Sequence, residues 1–316
     1  MRKIRLAYWG SGPISNFHIP AFVSAGFEPV TVFSREGSPR LQDFGNRWKI
    51  PICASKSSFI DMCSIADGIV IALETSITPS AISDVLDLGK PIFIEKPAGL
   101  KANDLEQFKK NANFENLFFG YNRRYYSTAL HMRDFLEFND SCLIQVAFPD
   151  AIKSFTQFRI NGCHIVDFLQ FIAGKLEVVD VWGSLDANRN GFMVQFISAN
   201  NHYISLALNW GAPENVGIRI TGGGRSLHST GFEKLVEYEG IDIIEPSQAF
   251  PLRQYIPRQI KSIEEPTNAG KPGFLKQAVA FRQFMESKRF SKYDCDLNQA
   301  ISTLQTIDVI EMKLSN

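Results

Sequence analysis

The chain has 316 residues, of which 45% are hydrophobic and 21% charged, and its 33 Lys and Arg residues balance 33 Asp and Glu residues. These values describe an ordinary globular protein with a large core, and the length predicts two domains. A formal net charge of zero provides no basic excess for binding nucleic acid, so we expect no nucleic-acid partner.

The cysteines and histidines give no sign of a metal site or of disulfide bonds. The five cysteines are scattered and form no C-x-x-C pair, and the five histidines show no metal-ligand spacing. No apolar run is long enough to cross a bilayer, and the first residues lack the apolar segment of a signal peptide. We therefore expect a cytoplasmic protein with reduced thiols, no membrane contact and no metal.

The first 120 residues alternate short apolar runs with helical stretches. The predicted strands are 4–9, 29–33, 68–73, 91–94 and 117–120. Predicted helices follow at 14–25 and 79–88, the second ending at Gly89, a residue typical of a helix C-terminus. Strand–helix alternation of this kind indicates an α/β domain with a parallel sheet covered on both faces.

After about residue 140 the strands become longer and alternate apolar with polar residues. The predicted strands are 143–148, 176–182, 192–199, 202–210 and 216–221. The predicted helices are 164–173, 273–285 and 297–313. The Gly222-Gly223-Gly224 run predicts a hairpin turn, and the proline-rich stretch 245–272 predicts a long irregular connection. This half of the chain therefore predicts an antiparallel or mixed sheet.

A glycine turn follows the first predicted strand directly. Gly10 permits the tight turn, and Gly12 lets the backbone approach a pyrophosphate that faces the amides of the next helix. Ser15 stands at the third glycine position, where a small residue still allows close packing. The turn predicts a nicotinamide dinucleotide site, with cofactor contacts from Gly10, Ser11, Gly12, Pro13 and Ile14.

The end of the second predicted strand bears on the choice of cofactor. A carboxylate there would bind the ribose 2′-hydroxyl of NAD, but the strand ends in Ser34 and Arg35, and Glu36 lies farther on. A serine hydroxyl and a guanidinium suit a 2′-phosphate. The sequence favours NADP over NAD, with a solvated surface arginine as the alternative interpretation of Arg35.

A second motif, G-K-x-x-x-x-E-K-P, occupies residues 89–97 and ends a predicted strand. Glu95 and Lys96 are thereby predicted at the carboxyl edge of the parallel sheet, where such sheets bind ligands. Pro97 restricts the backbone of Lys96, and the bond between them is a candidate for the cis form. By itself, Glu95 could equally pair with a nearby charge.

These motifs, together with the stretches 120–125 (Gly-Tyr-Asn-Arg-Arg-Tyr) and 162–167 (Gly-Cys-His-Ile-Val-Asp), resemble the Gfo/Idh/MocA oxidoreductase family over essentially the whole chain. The resemblance implies a Rossmann domain over 1–121. It also implies a substrate-binding and oligomerisation domain over 122–316, an α+β domain with a large open, mostly antiparallel sheet. The C-terminal helices are expected to pack on the first domain.

The activity implied is NAD(P)-dependent interconversion of a hydroxyl and a ketone on a sugar, sugar nucleotide or related polyol. By the resemblance, Lys96 lies near both nicotinamide and substrate, and Lys96 and His164 handle the proton. Glu95, beside Lys96, is a candidate cofactor contact. A lysine of lowered pKa or a histidine suits such a proton transfer near neutrality. The implied substrate contacts are Asn122 and Arg124. Asp167, on the same helix face as His164, is a further candidate substrate contact, with capping or ion pairing as the alternative. Without the resemblance, His164 would be interpreted as a core histidine.

One departure from the family pattern opens an alternative. Many family members carry an aspartate four residues before the histidine, where this chain has Ile160. Isoleucine cannot exchange a proton, and helix or loop geometry points the neighbouring Asn161 elsewhere. A non-catalytic, dinucleotide-binding sensor therefore stays an alternative. A diol dehydrogenase or a biliverdin-type reductase of the same fold is a third.

We also expect a homodimer or homotetramer formed through the C-terminal sheet. Apolar residues alternate along two of its predicted strands, and an open apolar sheet face is usually buried against a second subunit. The residues predicted to form that face are Phe192, Val194, Phe196, Ile204, Leu206 and Leu208.

Overall fold

The computed structural model describes residues 3–184, 190–266 and 270–315. It divides into two compact units. The first unit is formed by Met1–Tyr125 with Thr267–Asp308, and the second by Tyr126–Pro266 with Val309–Asn316. Within the described residues, no helix combines the length and the apolar character that a membrane crossing requires.

Thirteen strands are present in the described part of the chain. They are β1 (Ile4–Trp9), β2 (Phe27–Phe33), β3 (Gly68–Ile71), β4 (Ile92–Glu95), β5 (Leu117–Gly120), β6 (Leu143–Asp150), β7 (Leu176–Gly183), β8 (Gly191–Ser198), β9 (Tyr203–Trp210), β10 (Gly217–Gly222), β11 (Arg225–Thr230), β12 (Lys234–Ile244) and β13 (Gln254–Glu264).

Ten α-helical segments accompany them. They are α1 (Ser15–Ser24), α2 (Pro39–Trp48), α3 (Lys56–Ile65), α4 (Thr78–Leu86), α5 (Asn103–Glu106), α6 (Ser127–Glu137), α7 (Phe155–Gln157), α8 (Cys163–Ala173), α9 (Phe274–Ser287) and α10 (Leu297–Ser315). Short 3₁₀ turns and one π-helical turn, Phe158–Gly162, complete the described secondary structure.

The first unit is built on a five-stranded parallel sheet in the order β2-β1-β3-β4-β5. An isolated parallel bridge between Val32 and Ile52 adds a rudimentary strand beyond β2. With that bridge, the order is that of a Rossmann dinucleotide-binding sheet. The predicted α/β fold with a parallel N-terminal sheet is therefore confirmed.

The core of the first unit is dominated by aromatic rings. Phe93 on β4 and Phe118 on β5 both pack against Phe281 of α9, with ring centroids 5.6 and 5.4 Å apart. All three side chains are fully buried. Ring pairs of this kind add to the hydrophobic stabilisation of the core. Helix α9 therefore belongs to the Rossmann unit, although it lies more than 150 residues further along the chain.

The second unit contains an eight-stranded sheet in the order β13-β12-β11-β10-β6-β9-β8-β7. Strands β6 and β9 run parallel, and the other neighbouring pairs are antiparallel. The predicted large, mostly antiparallel sheet is confirmed. So is the predicted hairpin turn at the glycine run, since β10 and β11 pair antiparallel across Gly223 and Gly224.

The sheet face that sequence alternation assigned to a second subunit is covered within the chain. The six predicted residues are at most 3% exposed, and the ring of Phe192 lies 5.1 Å from that of Phe158. The interpretation of these residues as an open face is wrong, because alternation distinguishes two faces of a strand without identifying the covered one. The opposite face, which carries Met193 and Ala207, is the open one.

The prediction of an irregular connection over residues 245–272 is also wrong for the middle of that stretch. Residues 254–264 form β13, which pairs with β12 as the last strand of the sheet. Pro257 is tolerated there because an edge strand needs no amide donor on its outer side. Residues 267–269 of the predicted connection lie outside the described residues.

Candidate functional site

The glycine turn lies where β1, β2 and β3 end together. Gly10 adopts φ +133°, and a Cβ atom on it would stand 2.1 Å from the carbonyl oxygen of Ala72. Its amide donates to the carbonyl of Phe33 at 2.8 Å. Only glycine fits this conformation and this space. The turn is thus fixed between the ends of the neighbouring strands, at the point where parallel sheets bind ligands.

Gly12 faces open space, in contrast to Gly10. No atom lies within 4 Å of a Cβ built on it, and its carbonyl accepts from the amide of Ser15 at 3.0 Å as α1 begins. Ser15 stabilises the turn, since its hydroxyl donates to the carbonyl of Gly10 at 3.2 Å. A phosphate can therefore approach the backbone at Gly12 and the N-terminus of α1, so the residues present fit a dinucleotide.

A pocket of about 290 Å³ adjoins this turn. Ser11, Pro13 and Asn16 line one side, and α2 contributes Arg40 and Arg47 to the other. Arg47 donates to the Asn16 Oδ1 atom at 3.3 Å, which holds one guanidinium beside α1. Two guanidinium groups and one carboxylate, that of Asp43, line the pocket near a helix N-terminus, so its net charge is positive and suits phosphate. The sequence did not identify either arginine, since both lie on a helix that its pattern did not predict.

The end of β2 places Ser34 half-buried and Arg35 exposed. The carboxylate of Glu36 accepts from the Lys56 amide at 3.3 Å, at the start of α3. The nearest acidic side chain is thereby engaged with another helix. The side chains at the end of β2 itself are therefore those of Ser34 and Arg35.

The Glu-Lys-Pro motif ends β4 as predicted. Glu95 is the last residue of the strand and is paired in register with Gly120 of β5. Lys96 follows half-buried, and the Lys96–Pro97 peptide bond is cis. Since the strands are parallel, Lys96 lies on the same edge of the sheet as the glycine turn.

Glu95 pairs with a residue that sequence reasoning did not select. Its Oε2 atom lies 2.8 Å from the Nε2 atom of His18, on the inner face of α1. His18 is 2% exposed, and its ring lies 4.7 Å from that of Phe274 and 5.3 Å from that of Phe93. A buried carboxylate needs such a partner. The pair joins the cofactor helix to the strand that carries Lys96, and a role of Glu95 at the cofactor stays a prediction.

The 3₁₀ turn Asn122–Tyr125 lies deep in the first unit. The Asn122 amide donates to the carbonyl of Pro272 at 3.0 Å. The Arg124 guanidinium is 2% exposed and donates to the carbonyl of Asp294 at 2.8 Å and to the Gln299 side chain at 2.9 Å. These bonds tie residues 122–124 to the returning C-terminal segment. They favour a structural role, and the predicted substrate contacts of Asn122 and Arg124 stay untested.

In the second unit, His164 lies at the start of α8, immediately after the π-helical turn Phe158–Gly162. His164 is half-buried, and Asp167 is 1% exposed one turn later. Residues three apart share one side of a helix, so the two side chains lie on neighbouring positions of α8. π-helical turns are rare and often accompany functional sites.

Ile160 and Asn161 lie within that π-helical turn. Asn161 donates to the Asp150 Oδ2 atom at 3.3 Å, at the end of β6, so its amide is used there. Asp150 itself is 7% exposed. Among the described residues, no group of three or more His, Cys, Asp or Glu side chains could hold a metal ion.

Residues 4–122 match the family model described as an oxidoreductase family with an NAD-binding Rossmann fold. None of the curated proteins matches the chain. The family match covers the glycine turn and the Glu-Lys-Pro motif, and it confirms the resemblance predicted from these motifs.

Several solved structures share the fold over nearly the whole length. An oxidoreductase from Thermotoga maritima is 17% identical, with a TM-score of 0.76 and coverage of 100% of this chain and 98% of its own. An oxidoreductase from Agrobacterium radiobacter, in complex with NAD⁺, L-tartaric acid and magnesium, is 13% identical, with a TM-score of 0.77 and coverage of 100% and 97%. UDP-N-acetylglucosamine 3-dehydrogenase from Acidithiobacillus ferrooxidans is 17% identical, with a TM-score of 0.74 and coverage of 99% and 98%. At these identities the likeness shows the fold alone.

Proposed function

We propose, from the premise that residues 4–122 belong to the Gfo/Idh/MocA oxidoreductase family, that the chain interconverts a hydroxyl and a ketone on a carbohydrate-like substrate with NAD(P). The observation that carries the proposal is the position of Lys96 on the same edge of the parallel sheet as the glycine turn. An amine at that edge is placed for proton transfer beside a dinucleotide held by residues 10–14.

The chemistry assigned to Lys96 is a proton transfer at the substrate oxygen. A bound nicotinamide supplies the hydride acceptor or donor. In the oxidising direction, the Lys96 side-chain nitrogen takes the hydroxyl proton as the carbon–oxygen double bond forms. In the reducing direction, its ammonium form polarises the carbonyl and returns the proton. His164 is assigned the second proton-handling role, since an imidazole titrates near neutrality.

The proposed cofactor is NADP rather than NAD. Ser34 and Arg35 end β2, and the carboxylate of Glu36 is hydrogen-bonded to the amide of Lys56. A guanidinium binds a 2′-phosphate, whereas recognition of a ribose 2′-hydroxyl calls for a carboxylate. Glu95 is proposed to support the nicotinamide end through its link to α1.

The proposed substrate is a sugar, a sugar nucleotide or a related polyol. The UDP-N-acetylglucosamine 3-dehydrogenase that shares the fold supports this class. Asp167, Asn122 and Arg124 are proposed as the residues that contact or orient it. We further propose that the protein works in the cytoplasm, since its five cysteines are buried and not in disulfide bonds, and that it is a homodimer or homotetramer formed through the sheet of the second unit.

The test replaces Lys96. Lys96→Ala is expected to abolish turnover of any keto-sugar or nucleotide sugar accepted by the wild type, while NADPH affinity, measured by fluorescence titration, stays nearly unchanged. Lys96→Arg serves as the control, since a guanidinium keeps the positive charge but does not exchange its proton. Undiminished turnover in Lys96→Ala would remove the role assigned to this residue.

The second candidate function is a dinucleotide-binding sensor without catalysis. Ile160 favours it, since this side chain, four residues before His164, cannot exchange a proton. The neighbouring Asn161 is hydrogen-bonded to Asp150. Tight NADPH binding combined with no change in nicotinamide absorbance across a panel of ketoses, polyols and nucleotide sugars is the expected result for a sensor. Turnover of any one compound of the panel would show that the protein is an enzyme.

A further inference from the structure

A carboxylate ends the apolar row of β6. Alternate residues of this strand, from Ile144 to Phe148, are apolar and lie on the covered face of the sheet, and Asp150 takes the next position of the same row. Asp150 is 7% exposed. Its backbone is held in place, since its carbonyl accepts from the Gly211 amide at 2.7 Å. The mechanism described above gives this buried acid no role.

The hydrogen-bond partners of Asp150 are neutral. Its Oδ1 atom accepts from the Ile152 amide at 3.1 Å, and its Oδ2 atom accepts from the Asn161 side chain at 3.3 Å. Within the described parts of the chain, neither oxygen forms an ion pair. A buried charge without a cationic partner costs free energy. Such departures from the rules of stable packing are expected at functional sites.

The buried arginine of the adjoining π-helical turn does not neutralise Asp150. The guanidinium of Arg159 is paired with the carboxylate of Glu311 on α10 at 2.6 Å. Its central carbon lies 5.4 Å from the centre of the Phe155 ring. Lys153, closer in the chain, is exposed. The negative charge of Asp150 is therefore free to stabilise a cation that forms beside it.

Asn161 connects this carboxylate to the start of α8. It belongs to the turn Phe158–Gly162, and His164 is the second residue of the helix that follows. Residues three apart share one side of a helix, so Asp150 is bonded on the side of His164. Helical side chains lean toward the N-terminus, which directs the His164 ring back over the turn. Asp167 lies one turn later, on the side from which the ring leans away.

We propose that Asp150 supplies the negative charge that position 160 lacks, and that it is a positioning residue of the hydroxyl–ketone reaction, acting through His164. The inference rests on the function proposed above. When the His164 imidazole takes up a proton it becomes a cation, and the Asp150 carboxylate stabilises that cation. When the proton returns to the substrate oxygen the imidazole is neutral again, so Asp150 itself neither gains nor loses a proton. This assignment removes the argument that Ile160 provides for a non-catalytic sensor.

The test follows the five histidines of the chain by NMR in protein labelled with ¹³C at the imidazole Cε1 atoms. The His164 signal is identified by its loss in His164→Gln. Asp150→Asn keeps the shape of the side chain and removes its charge. In this variant, the pH at which the His164 signal titrates is expected to fall by about one unit.

The matched control is Asp140→Asn, the same change just before the opposite end of β6. Burial lowers the pKa of the His202 imidazole, and the Asp140 carboxylate partly offsets that shift. Asp140→Asn is therefore expected to move the His202 signal to lower pH and to leave the His164 signal in place. The His202 signal is identified by its loss in His202→Asn.

Thermal melting separates this role from a structural one. Asp150→Asn is expected to melt no lower than the wild type, because it removes a buried charge that has no cationic partner. A purely structural Asp150 would give a less stable variant in which His164 titrates as in the wild type.

Turnover provides a second measurement. One unit in the His164 titration corresponds to a change of about tenfold in the stability of the imidazolium, so kcat of Asp150→Asn is expected to fall about tenfold with KM nearly unchanged. An unchanged His164 titration in the folded variant would overturn the role of Asp150, whatever the turnover. A shifted titration in a protein without turnover would confirm the link between Asp150 and His164 and contradict the proposed reaction.

Discussion

The His18 Nε2 atom lies 2.8 Å from the Glu95 Oε2 atom, although the two residues are 77 positions apart in the chain. His18 belongs to the helix that starts at the glycine turn, and Glu95 ends the strand that leads to Lys96. Both side chains are largely buried, at 2% and 11% exposure. A single contact thus couples the segment proposed to hold the dinucleotide to the segment proposed to carry the reacting amine.

The first prediction concerns this contact. His18→Ala leaves the Glu95 carboxylate without its imidazole partner in a largely buried position, which typically costs about 3 kcal/mol. The variant is expected to lower the free energy of unfolding by about that amount, as measured by urea denaturation followed by tryptophan fluorescence.

The control for this contact is His18→Gln, whose amide can donate to the carboxylate. It is expected to recover a substantial part of the lost stability. If His18→Ala and His18→Gln were equally stable, the contact would have no energetic value beyond the packing of the ring.

The second prediction uses the two glycines of the turn as a matched pair. Gly10→Ala forces a methyl group against the Ala72 carbonyl at φ +133°, so it is expected to destabilise the fold by about 3 kcal/mol. Gly12→Ala meets no atom within 4 Å, so it is expected to leave the melting temperature of the free protein unchanged. Its methyl group would stand where the pyrophosphate approaches, so NADPH affinity is expected to fall about tenfold or more.

Calorimetry of the free proteins and fluorescence titration with NADPH measure the two effects separately. Wild-type NADPH affinity in a folded Gly12→Ala variant would contradict the proposed path of the pyrophosphate. It would leave the packing argument for Gly10 untouched.

The third prediction concerns the choice between the two dinucleotides. Arg35→Ala removes the exposed guanidinium at the end of β2, so it is expected to weaken NADPH binding about tenfold and to leave NADH binding unchanged, because only NADPH carries a 2′-phosphate. Arg35→Lys keeps the charge, so its NADPH affinity should lie between those of the wild type and of Arg35→Ala. An equal loss of affinity for both dinucleotides would place Arg35 elsewhere than at the 2′-position.

The parts of the fold that sequence patterns predicted are those with a local physical signal. The continuous apolar run in β3 indicates a strand buried on both faces, and a glycine turn between a strand and a helix is typical of a dinucleotide site. Lys96 could be identified from the sequence for the same reason, since the position of its motif at a strand end places it on the ligand-binding edge of the sheet.

The features that the sequence did not predict depend on contacts between distant residues. Nothing in the residues around His18 indicates that Glu95 lies beside it. Alternation in β8 was correct for a half-exposed strand, but the covered face is decided by Phe158 and its neighbours. β13 was missed because Pro257 counts against a strand in general, whereas it is compatible with the edge position that only the assembled sheet defines.

The fourth prediction concerns the dependence of stability on pH. His202 is 1% exposed in the second unit, and its Nδ1 atom accepts from the amide of Cys142 at 3.2 Å. Burial lowers the pKa of the His202 imidazole, and the nearby carboxylate of Asp140 offsets this only in part. The folded protein therefore holds this imidazole neutral at a pH where the unfolded chain already takes up a proton.

The sign of the effect follows from the direction of that shift. The unfolded imidazole titrates near its ordinary pKa of about 6.5, so the contribution of His202 to stability is fully present above that pH and is lost as the pH falls below it. His202→Asn keeps an acceptor for the Cys142 amide and removes the titration. Urea denaturation at pH 7.5 and at pH 5 is expected to show a smaller loss of stability on acidification in the variant than in the wild type. Equal losses in both proteins would show that His202 titrates alike in the folded and unfolded chains.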